Sequence, residues 1–431
     1  MTEAITMTLE PDAFTGSLLA AEGIEDATVI LNGPTGCKLY HGHLSDCQYP
    51  RASSFDPLSY SEEFYFGQPR VPCTYLEGDD YIAGSTEKLR RILPAIASAR
   101  EGLIVIINSP GASLIGDDLV RFIKEAGMSH RCIGIENAGY SSALCEGYQR
   151  TVLEILDWMR IERRETCPNK VNIIGMSLYH SNWDSSVEEI KRLLSLLGLQ
   201  VGSVVCAGTT LEELRLSAEA ACNLVICEEY GLDIAHWYER NLSIPYVFSP
   251  AGAPVGFEAT EICLKFLAAH MGIDSFPATG FIRQERRRQY RKIARFHSLT
   301  GLPKGASFAV KADSSIALPL TKWLYNYLGM VPAGIISPGG NLRSREALSG
   351  FLNEIGFSEA WNNFPSHEPV DVVLADGHTV KMMREKRLCR AGVEISLPSS
   401  GYVNFLPRTY MGISGSLFLL EEILNGLRTM P

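Results

Sequence analysis

Short apolar segments alternate with longer amphipathic segments along almost the whole chain. The apolar segments are three to five residues long and rich in β-branched side chains, which is typical of strands buried on both faces of a parallel sheet. Between them, segments such as 186–197 space Val187, Ile190 and Leu194 along one helical face. The alternation predicts an α/β fold with parallel sheets flanked by helices. Strands are predicted at 27–31, 103–107, 132–135, 171–174, 201–205, 224–226, 245–248, 307–310 and 370–374.

The breaks between these segments divide the chain into three predicted domains, at 1–168, 169–300 and 301–431. Parallel sheets of this kind bind ligands at the carboxyl ends of their strands. Loops that follow strands are therefore expected to line a cavity, and the last of them ends at Arg343. The loops are 108–114, 136–140, 180–184 and 338–343.

The composition narrows the class of protein. A net charge of −10 argues against nucleic-acid binding, which requires a basic face. The basic run 283–292 predicts a solvated helix face, with a site for an anion or an acidic partner as the alternative. No apolar run approaches the roughly 20 residues of a membrane span, and the first residues lack the pattern of a signal peptide. The eleven cysteines therefore predict a reducing cytoplasm, with thiols either free or bound to metal.

Three cysteines lie close together near the start of the chain. Cys37 ends a Gly-Pro-Thr-Gly turn directly after the predicted strand 27–31, and Cys47 and Cys73 follow before the next clear helical pattern. Their spacing is too long for a zinc knuckle, but thiolates on loops after strands are the ligands that iron–sulfur clusters use. The spacing alone leaves both a metal site and small buried thiols open, and it favours metal binding over a disulfide. His41 lies beside the group and is a candidate to line the same site.

Other candidate residues have simpler interpretations. Asp117 and Asp118 precede a predicted helix and suit its amino terminus. Cys227 directly follows the strand 224–226, where a buried structural cysteine is the default. The sequence contains no nucleophile elbow, no phosphate-binding lysine loop and no zinc-protease motif, so the usual signatures of hydrolases and nucleotide-binding proteins are missing.

Taken in order, several segments resemble the component 1 family of nitrogenases and nitrogenase-like reductases. Gly33-Pro-Thr-Gly-Cys37 is similar to the family's Gly-Pro-x-Gly-Cys ligand loop. Residues 80–89 are similar to its Asp-x-Val-Phe-Gly-Gly-x-x-Lys-Leu segment, and residues 109–118 to its Cys-Pro-x-x-Leu-Ile-Gly-Asp-Asp. The resemblance covers nearly the whole chain and implies three Rossmann-like domains.

The resemblance also implies partners and an electron path. A homologous second subunit would form a tetramer with this chain, here expected to be a heterotetramer, and an ATP-dependent iron-protein reductase would supply electrons. These would enter an interface cluster, either 4Fe–4S or the larger 8Fe–7S type, held by Cys37 and, in a weaker match, Cys73. The family's third cysteine is replaced by Ser109. Cys47 as a substitute ligand, Ser109 binding through oxygen, and a smaller cluster are the alternatives.

A second metal site is implied by residues 210–227. This segment is similar to the nitrogenase stretch whose last cysteine binds the catalytic iron–sulfur–carbide cofactor, which makes Cys227 a candidate ligand. The opposing histidine of that cofactor does not carry over, because Met411 stands at its position. His41, His180 or His378 is then the candidate second ligand, and a tetrapyrrole in the same cavity is the alternative.

Three functions follow from these features. The first is a cofactor-bearing subunit that cleaves the C–S bond of small methylthio-alkanes. The second is a subunit of a tetrapyrrole reductase, of the protochlorophyllide reductase or nickel-sirohydrochlorin diamide reductive cyclase type. The third is a non-catalytic scaffold on which the nitrogenase cofactor is assembled.

Overall fold

A computed structural model describes residues 11–45, 48, 71–99, 101–136, 142–339, 342–399 and 406–428. In this part of the chain, strands alternate with helices from end to end. The strands are β1 (Ala27–Asn32), β2 (Leu103–Asn108), β3 (Cys132–Ile135), β4 (Cys167–Ile174), β5 (Gln200–Val204), β6 (Ala220–Val225), β7 (Tyr246–Phe248), β8 (Ser307–Lys311), β9 (Val331–Ile336), β10 (Val370–Asp376) and β11 (Cys389–Ser396).

The helices cover both faces of the sheets, and two single turns of 3-10 helix accompany them at Ser217–Glu219 and Ser358–Ala360. None of the helices in the described ranges is long and apolar enough to cross a membrane. The helices are α1 (Ala13–Glu22), α2 (Thr35–Ser45), α3 (Asp80–Ala83), α4 (Thr86–Ala99), α5 (Pro110–Ile115), α6 (Leu119–Glu125), α7 (Leu144–Met159), α8 (Trp183–Ser195), α9 (Leu211–Leu216), α10 (Glu228–Leu242), α11 (Gly256–Met271), α12 (Phe276–Thr300), α13 (Ser314–Asn326), α14 (Arg343–Glu354), α15 (Gly377–Glu385) and α16 (Gly412–Arg428).

The described residues divide into two compact units. The smaller unit comprises 11–166 and 203–219 and contains the sheet β1–β2–β3. Its strands are parallel, and every residue of β1 and β2 is buried, as expected for strands that helices cover on both faces. An apolar cluster fills the space between this sheet and the helices α4 and α6: Ile30, Leu89, Leu93, Ile104, Ile106, Leu119, Phe122, Ile123 and Cys132.

The larger unit comprises 167–202 and 220–428 and contains two further sheets, with strand orders β5–β4–β6–β7 and β11–β10–β8–β9. The pairs β4–β6, β6–β7, β8–β9, β8–β10 and β10–β11 are parallel. In both sheets the carboxyl ends of neighbouring strands meet at one edge, which is where parallel sheets carry their sites.

The predicted α/β fold of helix-flanked parallel sheets is confirmed, and each predicted strand overlaps an observed one. The strands β9 and β11 were not predicted. Pro332 and Gly334 interrupt the first, and Arg390 and Glu394 break the apolar pattern of the second. The prediction of no helix between Cys37 and Cys73 was wrong, because α2 begins directly after Pro34. The boundaries 1–168, 169–300 and 301–431 remain a prediction.

Candidate functional site

Two of the predicted cluster ligands lie at the carboxyl end of β1, in the smaller unit. Cys37 is in the first turn of α2 and is half-buried, and Cys73 is buried beside the strand, where it forms a parallel bridge with Leu31. The Cys73 thiol donates a hydrogen bond to the carbonyl of Gly33 at 3.2 Å and accepts one from the amide of Tyr75 at 3.4 Å. The Gly-Pro turn therefore sets the backbone around both thiols.

The electrostatic surroundings keep both thiols protonated when no metal is bound. Burial raises the pKa of Cys37, and the nearby Asp12 carboxylate raises it further. Burial also raises the pKa of Cys73, with Lys38 acting in the opposite direction and Cys37 raising it again. The effect of Cys37 on Cys73 places the two thiols within electrostatic range of each other. Within the described ranges, no group of three or more His, Cys, Asp or Glu residues is arranged to hold a metal ion.

Ser109 occupies the position where the family has its third cysteine. It is fully buried and caps the amino terminus of α5, and its hydroxyl accepts a hydrogen bond from the amide of Ala112 at 3.2 Å. A Cβ atom on Gly33 would lie 2.7 Å from the Ser109 hydroxyl oxygen, so this side chain packs directly against the turn that precedes Cys37. Cys47, the alternative ligand, lies outside the described residues.

The two aspartates after this helix have structural roles. Asp118 caps α6 and accepts a hydrogen bond from the amide of Arg121 at 2.7 Å, which confirms the predicted capping. Asp117 accepts bonds from the amide and the hydroxyl of Ser85 at 2.5 and 2.6 Å. The adjoining loop 136–140 was predicted to line a cavity, and of it only Glu136 is described.

His41 forms a buried hydrogen bond with Glu22, a contact that was not predicted from the sequence. Its Nε2 lies 2.6 Å from a carboxylate oxygen of Glu22, and each side chain is 1% exposed. Its other nitrogen, Nδ1, is buried without a hydrogen-bond partner among the described residues. The pair joins the carboxyl end of α1 to α2, so His41 has a clear role in stabilising the smaller unit.

We expect His41→Ala to lower the free energy of unfolding by about 1–3 kcal/mol, because it removes a hydrogen-bond partner from the buried Glu22 carboxyl. Urea denaturation of the purified protein measures this loss. His130→Ala is the matched control, since His130 is an exposed residue of the same unit, and it should change stability by less than about 0.5 kcal/mol. Equal effects of the two substitutions would contradict a stabilising pair.

Cys227 lies at the carboxyl end of β6, in the larger unit. It is completely buried and occupies the residue before α10. Gly175 follows the neighbouring strand β4 with φ of +85°, and a Cβ atom there would lie 2.4 Å from the carbonyl oxygen of Cys227. Only glycine permits this approach without strain. The two strand ends therefore come together tightly around the cysteine.

Two buried glutamates follow Cys227 and bind the amino termini of other helices. Glu229 accepts hydrogen bonds from the hydroxyl and the amide of Ser315, at 2.6 and 2.9 Å, and from the hydroxyl of Ser314 at 2.5 Å. Glu228 accepts a bond from the amide of Ser344 at 2.6 Å. Burial raises the pKa of Glu228. These carboxyls link α10 to the starts of α13 and α14.

Asp313, His180 and Tyr230 form a buried group beside these glutamates. His180 Nε2 lies 3.8 Å from a carboxyl oxygen of Asp313, and the His180 ring packs edge-on against Tyr230 with ring centres 5.0 Å apart. Burial raises the pKa of Asp313 well above its usual range, the charge of Glu229 raises it further, and a hydrogen bond with Tyr230 acts in the opposite direction. Burial lowers the pKa of His180 to about 4. Burial therefore favours the protonated form of Asp313, and His180 is neutral at neutral pH.

The thiol of Cys227 and the phenol of Tyr410 complete this group. Burial raises the pKa of Cys227 well above its usual value, and Glu229, Asp313 and Glu228 each raise it further. Burial likewise raises the pKa of Tyr410, and both Cys227 and Asp313 add to the shift. Tyr410 Oη and His180 Nε2 have no hydrogen-bond partner among the described residues. The proton-holding cluster is defined as Cys227, His180, Tyr230, Asp313 and Tyr410, and burial favours the neutral forms of Cys227, His180, Asp313 and Tyr410.

The other predicted site residues lie in different surroundings. Met411 is completely buried, directly after Tyr410. The side chain of Arg343 is exposed and its backbone bonds Glu228, and its predicted place in a cavity lining remains a prediction. His378 is also exposed. The loop 338–343 includes two residues outside the described ranges.

Comparison with known proteins places the chain among redox enzymes. A profile of the nitrogenase component 1 type oxidoreductase family matches residues 13–428. One of the subunits of the light-independent protochlorophyllide reductase of Synechococcus elongatus is 27% identical over 266 residues, which covers 59% of this chain and 48% of that protein. The corresponding protein of Zygnema circumcarinatum is 25% identical, and the aligned region covers 80% of this chain and 67% of that protein.

The solved structures that are similar share the fold. A nitrogenase Cp1 structure at pH 6.5 superposes with a TM-score of 0.74 at 16% identity and covers 97% of this chain and 91% of that chain. A second nitrogenase Cp1 structure, at pH 5, has a TM-score of 0.71 at 17% identity. The match to the protochlorophyllide reductase subunits is partial. The chain spans about half the length of the Synechococcus proteins.

Proposed function

The chain belongs to the nitrogenase component 1 type oxidoreductases, and from this premise we propose that it is part of a two-component, ATP-dependent reductase acting on a tetrapyrrole. Electrons from an iron-protein reductase enter near Cys37 and pass to the substrate, and the proton-holding cluster supplies the protons. The similarity to protochlorophyllide reductases supports the substrate class. A homologous partner protein and a cytoplasmic location are part of the same proposal.

Cys37 and Cys73 fit a shared iron–sulfur cluster. Thiolates are the ligands that such clusters prefer, and two of them lie within electrostatic range at one strand end. A chain that supplies two thiols needs further ligands from elsewhere, so we propose that a partner subunit provides them or that Cys47 does. Bound iron would deprotonate the thiols, and the cluster would carry single electrons.

The proton-holding cluster is the observation that carries the proposal. Reduction of a conjugated organic ring requires protons as well as electrons, and a buried acid that stays neutral at pH 7 is suited to donate one. Asp313 is the candidate for such an acid, because burial and the charge of Glu229 both favour its protonated form. His180 at 3.8 Å and Tyr230 hold its orientation. We assign Asp313 as the proton donor to a substrate at this edge of the sheets.

The position of the family's second ligand disfavours the iron–sulfur–carbide cofactor at Cys227. In the family that cofactor is also held by a histidine, and the resemblance gives this chain no histidine at that position. The side chain at the position of the family's histidine ligand is Met411, and the nearby cation Arg343 is exposed. We therefore rank a tetrapyrrole reductase above methylthio-alkane cleavage and above a scaffold for cofactor assembly, and we propose Cys227 as a protonated thiol of the site.

Metal analysis and turnover of the purified complex test this proposal together. We expect iron equivalent to the interface cluster alone, and ATP-dependent loss of the absorbance of an added tetrapyrrole when the iron-protein reductase is present. Cys227→Ala should leave the iron content unchanged. A large excess of iron that disappears in this variant, or turnover of a thioether in place of a tetrapyrrole, would overturn the proposed substrate class.

A further inference from the structure

A cavity with an excess of basic side chains opens at the amino-terminal edge of the sheet β11–β10–β8–β9. It has a volume of about 610 Å³, within the range of small-molecule sites. Ser307 begins β8, Asp371 lies near the start of β10, and Cys389 begins β11, so the cavity sits where the strands start. The proton-holding cluster lies past the other end of β8, roughly 13 Å or more along the strand. The cavity is therefore a separate site.

Three arginines contribute to the lining, at 384, 387 and 390, against the single carboxylate of Asp371. Asp371 is already engaged: it accepts hydrogen bonds from the amide and hydroxyl of Ser307 at 2.8 and 3.0 Å, and lies 3.5 Å from Arg390. Two positive charges are left over in a chain whose net charge is −10. Their concentration at one cavity indicates an anionic ligand.

Two of the arginines are held in place by backbone carbonyls. Arg384 donates a hydrogen bond to the carbonyl of Gly392 at 2.8 Å, and Arg390 donates one to the carbonyl of Leu427. The Nε atom of Arg390 is buried without a hydrogen-bond partner among the described residues. Because a guanidinium has five N–H donors, each side chain retains donors after these contacts. Fixed guanidinium groups lose little conformational freedom when an oxyanion binds.

Arg387 stands in a backbone conformation that ordinarily favours glycine. Its φ is +56°, directly after the end of α15, where the amide of Leu388 bonds the carbonyl of Met383 at 2.8 Å. This is the position of a helix-terminating glycine, and any other residue there costs stability. The side chain of Arg387 reaches the cavity. A strained position that places a charge in a cavity is typical of ligand-binding sites.

We propose that this cavity binds a small molecule carrying a phosphate monoester. The ester has a charge close to −2 at neutral pH, which matches the two uncompensated guanidinium groups. Its three oxygens can accept paired hydrogen bonds from more than one guanidinium group. A single carboxylate has only two oxygens and can pair fully with one guanidinium group. The site is independent of the proposed reductase function.

Isothermal titration of the purified complex with inorganic phosphate, adenosine monophosphate and adenosine tests the proposal. We expect inorganic phosphate and adenosine monophosphate to bind, the latter with a Kd below about 1 mM. Adenosine, which has no phosphate, should not bind. In Arg387→Gly the affinity should fall about 10- to 100-fold, because one charge-assisted contact is lost. The Tm of this variant should not fall, because glycine relieves the backbone strain.

Lys381→Gln is the matched control, since it removes one positive charge from α15 at a residue outside the cavity lining. Its affinity for adenosine monophosphate should stay within about threefold of the parent protein. The proposal is overturned if neither phosphate probe binds, if adenosine binds as tightly as its monophosphate, or if Lys381→Gln weakens binding as much as Arg387→Gly.

Discussion

Replacing Cys37 with alanine is expected to remove the iron–sulfur signal of the purified complex and to lower its ATP-dependent activity by more than about 100-fold. Cys73 alone cannot compensate, because the cluster would then keep one of the two thiolate ligands that this chain supplies. Electron paramagnetic resonance of the reduced complex and an iron assay measure the loss directly. Both readouts are independent of substrate identity.

Cys145→Ala is the control for this experiment, because Cys145 is a half-buried cysteine of the same unit that lies on α7, away from the strand end. It should retain the iron and the resonance signal. A Cys37→Ala complex with an unchanged signal would place the cluster elsewhere, and loss of the signal in both variants would point to general unfolding of the unit.

The strands that were predicted correctly are those whose signal is local. β1 and β2 are continuous apolar runs, and their burial on both faces is the direct result of that pattern. β9 and β11 were missed because they contain Pro332 or charged side chains, and they become strands only through pairing with β8 and β10. Tertiary pairing outweighs local propensity at such positions.

The residues of the candidate site also differ in whether the local sequence predicts them. The position of Cys37 was predictable, because a strand, a Gly-Pro turn and the cysteine are contiguous in the sequence. Asp313 was not, because its protonation depends on Glu229 and Tyr230, which lie more than 80 residues away and reach it only in the folded unit. One signal was readable in retrospect. Asp313 lies three residues after the predicted strand 307–310 and directly precedes the helix α13, just as Asp118 directly precedes α6.

Asp313→Asn is expected to lower kcat of the tetrapyrrole reduction by about 100- to 10,000-fold, the range for loss of a general acid, with little change in KM. Asparagine keeps the size of the side chain but has no acidic proton to donate. Steady-state kinetics with excess iron-protein reductase, followed through the absorbance of the tetrapyrrole, measures the effect.

Glu189→Gln is the control: Glu189 is also a buried carboxyl of this unit, but it caps α16 through the amides of Ile413 and Ser414. Its loss should reduce stability and leave kcat within about threefold.

The pH dependence gives the sharpest form of this prediction. Because the pKa of Asp313 is raised in the folded protein, the protonated acid persists to a higher pH than in the unfolded chain, and activity should fall as pH rises through that pKa. The folded state also holds this proton where the unfolded chain, with a pKa of about 3.9, has lost it. The contribution of Asp313 to stability is therefore greatest below about pH 4 and decreases as pH rises toward the folded pKa. Asp313→Asn should remove both dependences together. A variant that retains the parent's kcat and the parent's fall in stability with pH would show that Asp313 neither donates the proton nor holds it.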